Sequence, residues 1–275
     1  MGRFCFLSAV YPRLLQFGPF TLPTYGAFLA IGLVAALFLA LRTARLLRIN
    51  PESMWNLSML AVFSALLGAK LLLIGANLRD FFRYPMLMLS ISAMNSGNAV
   101  LVGFLLALTS GLIYIRIKKM PLLRTLDAAA PALALADTIA CVGAFLAGAG
   151  YGKPTMLPWG VVYRDRWSAF WYGTPLGIRL QPVQLYEAAI IGALCLFLLW
   201  LLPRQHQNGE GIGAGLFLSG LATFGLEFLR GDTGRHFIFD GAFPISQGIA
   251  FLMVIAGALF WLERRAPGTG GLNAN

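Results

Sequence analysis

Seven long apolar stretches, at about 19–41, 55–77, 98–117, 127–150, 183–202, 211–229 and 244–262, dominate this 275-residue chain and leave it few ways to fold. About 20 mostly apolar residues match the hydrocarbon thickness of a bilayer. Inside that layer no water reaches backbone N–H and C=O groups, so each stretch is expected to be a helix. Composition agrees: 58% of the residues are apolar and 12% charged, against roughly 25% charged in soluble domains. The expected fold class is all-α integral membrane, with seven transmembrane helices.

A net charge of +10 would suggest nucleic acid in a soluble chain. Here the basic residues sit in short loops between apolar runs, where they anchor helix ends against anionic headgroups. No nucleic-acid motif is present, and no nucleic-acid partner is expected. With Lys70 inside a helix, the two alternating sets of loops carry ten Lys or Arg each. The early clusters decide between them. Arg42, Arg45 and Arg48 follow the first stretch, and Arg116, Lys118, Lys119 and Arg124 the third. They assign that set to the cytoplasm, with the N-terminus outside and the C-terminus inside.

Residues 1–18, interrupted by Pro12, Arg13 and Gln16, read as an interfacial segment rather than a cleaved signal. Residues 19–263 form the seven-helix domain, and 264–275 a cytoplasmic tail. The loop 151–182 is rich in Trp, Pro and Gly, which predicts a small extracytoplasmic cap with interfacial aromatics. The fourth stretch, DAAAPALALADTIACVGAFLAGAG, is full of small residues and belongs at the centre of the bundle. Cys5, Cys141 and Cys195 have no metal-type spacing; the latter two read as buried thiols.

Ionisable side chains in membrane segments are costly and point to function. The candidates are Lys70, Asp137, Glu187 and Glu227, with Asp127 and Arg230 at segment ends. In LQPVQLYEAAIIG, Pro182 stands near the first helical position. Gln181, Gln184 and Glu187 then share roughly one face. They read as one wall of a polar pocket, or as caps and helix-pairing groups.

Six further motifs stand in order: FGPFTLPTYGAFLAIG, LLGAKLLL, MPLLRTLDAAAPALALADTIACVGAFLAGAGYGKPT, LPWGVV with QPVQLYE, LATFGLEFLRGD, and ISQGIAFLMVIAG. Together, from about Phe17 to Trp261, they resemble the bacterial prolipoprotein diacylglyceryl transferases. The resemblance implies a seven-helix enzyme of the bacterial inner membrane with an outward N-terminus. It implies transfer of the diacylglyceryl group of phosphatidylglycerol to the lipobox cysteine of a prolipoprotein, with no cofactor and no metal. The implied partners are phosphatidylglycerol or a related phospholipid, the prolipoprotein lipobox peptide, and the membrane.

Carried over position by position, the resemblance points to Tyr25, Glu187, Glu227 and Arg230 as catalytic. Lys70, Gly152, Lys153, Gln181, Gln184 and Arg235 are the substrate-binding candidates. The chain also departs from the family. Leu101 replaces the third-helix His or Tyr, Cys141 and Thr223 replace two Arg, Gln181 replaces a His, Ala144 an Asn and Ala149 a Glu. Such chemistry needs a thiolate and a cation where the phosphate charge develops. Two other functions therefore stand beside a transferase with a rebuilt site. One is a catalytically inactive paralogue that binds phospholipid or prolipoprotein. The other is a transferase with a different donor or acceptor, in which Cys141 could serve as a nucleophile or simply fill space in an Ala/Gly-rich helix.

Overall fold

The computed structural model describes residues 11–17, 20–83, 97–205, 207–232, 237–238 and 243–265. The chain divides into two compact units, Met1–Ala40 with Leu126–Asn275, and Leu41–Thr125. A hairpin of β1 (Arg13–Phe17) and β2 (Phe20–Pro23) leads into the helices. The described part of the expected interfacial segment is thus largely extended backbone. The helices follow as α1 (Thr24–Leu46), α2 (Pro51–Ala76), α3 (Leu78–Arg83), α4 (Gly97–Ile117), α5 (Leu122–Ala147), α6 (Arg166–Tyr172), α7 (Val183–Leu201), α8 (Glu210–Glu227) and α9 (Ile245–Arg265).

Apart from the short α3 and α6, each of these helices covers one of the seven apolar stretches. Among the described residues, four spans are long and apolar enough to cross a membrane: α1, α2, α5, and α7 continued to Arg204. Within α4 and α9 the described side chains form apolar helices over Leu101–Ile117 and Ile245–Phe260. In α8 a glutamate stands at each end, Glu210 and Glu227, which lowers its apolarity.

Lipid tails are as apolar as leucine, so helices in a bilayer associate through close packing and polar contacts rather than exclusion from water. In the second unit α2 packs on α4 at Gly68 and Gly103. A Cβ on Gly103 would stand 2.5 Å from the Ala65 carbonyl oxygen, and the Ser110 hydroxyl donates to Ser64 Oγ at 3.0 Å. In the first unit α8 packs on α9, where a Cβ on Gly220 would meet the Ala250 carbonyl oxygen at 2.8 Å. Its core joins α5, α7 and α8 through Ala130, Ala134, Ile191, Leu194, Leu198 and Ala214.

The 151–182 segment folds against the end of α5. There β3 (Val161–Val162) pairs with β4 (Arg179–Leu180), and α6 lies between them. Asp165 caps α6 by accepting from Trp167 N at 2.8 Å, and Gly173 closes it at φ 67°. The last carbonyls of a helix have no partner within it. Here the segment supplies them: Tyr163 Oη donates to Phe145 O (3.0 Å), Ser168 Oγ to Ala147 O (2.8 Å), and Thr174 Oγ1 to Gly148 O (2.8 Å). A last hairpin, β5 (Phe237–Ile238) with β6 (Phe243–Pro244), precedes α9.

Candidate active site

Asp137 and Cys141 are one helical turn apart on α5, so their side chains share a face. The Cys141 thiol faces Asp137 Oδ1 at 3.8 Å. From the second turn of α7, Glu187 joins them: the donor atoms of Asp137, Cys141 and Glu187 all lie within 4.8 Å of one another. Cys141 is buried, Glu187 half-buried and Asp137 exposed. These three residues could share a cation, although the cysteine spacing gave no sign of one.

Arg230 follows the end of α8. Its Nε lies 3.4 Å from Asp232 Oδ1 and 3.9 Å from Glu227 Oε2, and the Glu227 side chain is only 1% exposed. Burial alone would weaken the guanidinium's hold on its proton. The carboxylates of Asp232, Glu187 and Glu227 outweigh that and hold its pKa above the ordinary value. Tyr25, in the first turn of α1, sets its ring edge-on to Tyr172 with centroids 6.3 Å apart. It lies within electrostatic range of Cys141, Asp137, Arg230 and Glu187.

Backbone geometry fixes the position of Arg230. After α5 the chain turns through Gly148 (φ 90°) and Gly150 (φ 61°), conformations that strain any residue with a Cβ. A Cβ at Gly150 would also lie 3.0 Å from Arg230 Nη2. Gly152 then bridges Arg230 in antiparallel fashion. Gly231 N donates to Tyr151 O at 2.9 Å, and Lys153 N to Leu229 O at 2.8 Å. On the other side Gly152 N donates to Gln181 O at 3.2 Å, and Gln181 N to Lys153 O at 3.0 Å. Gly152 is the middle of this ladder. A Cβ there would meet Gln181 O at 2.5 Å and Val183 Cγ2 at 2.6 Å. Pro182 is the N-cap of α7, and the buried Gln184 donates from Nε2 to Ala149 O at 2.7 Å.

Of the residues singled out in the sequence, the first unit therefore gathers Tyr25, Glu187, Glu227 and Arg230 with Asp137 and Cys141. Gly152, Gln181 and Gln184 frame them; Gln181 joins through its backbone and Gln184 through its carboxamide. The Lys153 side chain is exposed, and its backbone joins the ladder. Lys70 is on α2 in the second unit, as Leu101 is on α4. Arg235 lies outside the described residues. Sequence reasoning missed Gly150, Tyr172 and Asp232. The GAGYG run and the RGD after α8 were the traces of Gly150 and Asp232. Chemically, a carboxylate beside Cys141 can accept a proton, and a guanidinium can carry a phosphate oxygen's charge.

A family model described as prolipoprotein diacylglyceryl transferase matches residues 12–263. The phosphatidylglycerol–prolipoprotein diacylglyceryl transferase of Clostridium tetani is 29% identical over 233 residues, covering 85% of this chain and 89% of that one. The protein of the same name from Parasynechococcus marenigrum is 31% identical over 282 residues, covering 92% and 94%. The second such transferase of Clostridium perfringens is 28% identical over 247 residues, covering 89% and 92%.

Proposed function

The chain belongs to the prolipoprotein diacylglyceryl transferase family, and from that premise we propose that it transfers the diacylglyceryl group of phosphatidylglycerol to the lipobox cysteine of a prolipoprotein. In this reaction the acceptor thiol loses its proton and its sulfur attacks the glycerol carbon that bears the phosphate. A carbon–sulfur bond forms, the carbon–oxygen bond to phosphate breaks, and glycerol phosphate leaves.

Glu187 is the group we assign to the thiol proton. Arg230 meets the charge that grows on the leaving phosphate, where a lost contact of this kind costs about 10²–10³ in rate. Tyr25 donates a hydrogen bond to the same phosphate, while Glu227 and Asp232 hold the guanidinium in place. Gly152, Gln181 and Gln184 set the frame; Lys153 and Arg235 are candidate contacts for the headgroup and peptide. A fold with all seven long helices crossing the inner membrane, the 151–182 segment as an extracytoplasmic cap and the C-terminus in the cytoplasm accords with the loop charges and with a helix over each apolar stretch.

The observation that carries this reading is the meeting of Tyr25, Asp137, Cys141, Glu187 and Arg230, residues from four separate parts of the chain, within a match that spans 12–263. The direct test uses purified protein in detergent, phosphatidylglycerol and a lipobox peptide, with the peptide mass as readout. The expected result is a gain of one diacylglyceryl group. One observation favours a second reading, a family member that binds lipid without turning it over: Arg230 already contacts two carboxylates. In that case the mass stays unchanged beside an active relative, while phosphatidylglycerol still raises the unfolding temperature through ligand linkage.

A further inference from the structure

Within the second unit, the last turns of α4 and the start of α5 enclose an open groove of about 490 Å³, inside the ~300–1,000 Å³ range of small-molecule sites. Leu112, Ile113, Met120 and Leu122 give it apolar walls, and Arg116 and Lys119 line it as well. We propose that this groove binds one anionic phospholipid, with an acyl chain along Leu112 and Ile113 and the phosphate between Arg116 and Lys119. None of these residues belongs to the site built around Glu187 and Arg230.

Three observations select this occupant. The first is the position of the groove at the end of the apolar run Leu101–Ile117. There a spanning helix passes from hydrocarbon to headgroups, so apolar walls and basic side chains each meet their own phase.

The second is charge. Residues 97–119 contain Arg116, Lys118 and Lys119 and no Asp or Glu. The local excess of positive charge has no acidic counterpart in that sequence, and a phosphodiester supplies one. A free phosphate ion would leave the apolar walls uncovered, and a zwitterionic lipid would bring its own cation to the same place.

The third is how α4 ends. A helix C-terminus is a poor neighbour for an anion, because its last carbonyls point outward. Here the chain turns back through Lys119 at φ 50°. Lys119 N donates to Arg116 O at 3.1 Å, Met120 N to Ile115 O at 2.9 Å, and Lys118 N to Tyr114 O at 2.9 Å. With those carbonyls closed by the backbone, the side chains of Arg116 and Lys119 are exposed and directed to the surroundings rather than spent on capping.

The test counts lipids on the full-length protein by native mass spectrometry in detergent. The probe is phosphatidylserine, which is anionic but is not the proposed donor; phosphatidylcholine is the control. One set of variants is Arg116→Gln with Lys119→Asn, the asparagine chosen because it tolerates the left-handed turn. The other is Ile113→Trp, which fills space between the apolar walls and leaves both cations. The wild type should retain one more phosphatidylserine than either variant, and no extra phosphatidylcholine. The double variant should bind that lipid roughly thirtyfold more weakly, at about 1 kcal/mol per basic residue near a charged partner and tenfold per 1.4 kcal/mol. Equal phosphatidylserine retention in wild type and both variants overturns the proposal, as does equal retention of phosphatidylcholine by the wild type. Because phosphatidylserine is not the donor, the result stands whether or not the chain transfers diacylglycerol.

Discussion

Asp127 caps a helix 82 residues further along the chain: its Oδ2 accepts from Gly209 N at 2.6 Å, and its Oδ1 from Ile212 N at 2.8 Å. The carboxylate is fully buried and sits at the positive end of the α8 dipole. Asp127→Ala leaves both N–H groups without their acceptor. Hydrogen bonds to a charged group contribute about 1.5–3 kcal/mol each, so the variant should lose roughly 3 kcal/mol in detergent unfolding. Asp127→Asn keeps one acceptor and should lose about half as much. Equal midpoints for the two variants would rule out this capping role.

Arg230 touches two carboxylates, so removing its charge outright would confound activity with stability. Arg230→Lys keeps the charge but not the planar fork that fits a phosphate. Transfer to a lipobox peptide should fall by about 10²–10³, with the unfolding midpoint close to that of the wild type. Undiminished transfer would mean that another group carries the phosphate.

Arg48 ends α1 at φ 55°, with Ile49 N donating to Ala44 O at 2.8 Å. A side chain in this left-handed conformation costs about 1–2 kcal/mol. Arg48→Gly should therefore raise stability by about 1 kcal/mol. Arg48→Ala, which removes the same charge but keeps a Cβ, should not. A glycine variant no more stable than the alanine variant would contradict the prediction.

Tyr172 has its phenol raised from the ordinary 10.0 to about 12, by burial first and by the neighbouring Tyr25 second. In the unfolded chain the phenol ionises near 10, so above that pH the unfolded state gains. The contribution of Tyr172 is whole below pH 10 and is lost as pH rises toward 12. Ultraviolet titration of Tyr172→Phe should show one fewer phenol titrating near pH 12, and its stability should decline less across that window. Loss of a phenol that titrates near 10 would contradict the packing of Tyr172 against Tyr25.

The apolar period made the long helices legible, because in lipid a backbone has few other ways to satisfy its hydrogen bonds. Pro182 marked the start of α7 within a residue, for the same reason that proline suits any helix start. Gln184 and Glu187 were readable as inward-facing because the i, i+3 spacing leaves them little choice. Gly150 and Asp232 were not readable. Their importance lies in contacts with Arg230, 80 and two residues away in the chain, and no local pattern encodes a meeting of that kind. Asp127 was seen as an ionisable residue at a segment end, but its acceptors' partners, Gly209 and Ile212, come from another helix. The closeness of Cys141 to Glu187 was equally hidden, since neither charge nor spacing relates α5 to α7. The hairpin at Arg13–Phe17 was missed because two short strands are too brief to impose an alternation on the sequence.

The ladder that ties Gly152 to Arg230 on one side and to Gln181 on the other is made of main-chain groups, which every residue except proline supplies in full. Its demands on the sequence are a missing Cβ at Gly152 and another at Gly231, where a Cβ would stand 2.7 Å from the Gly152 carbonyl oxygen. A lineage can therefore exchange the side chains around this clasp while the peptide frame keeps its register. Such a frame acts as a memory of the site: the geometry is inherited apart from the chemistry, and chemistry can drift or return without the fold being invented again.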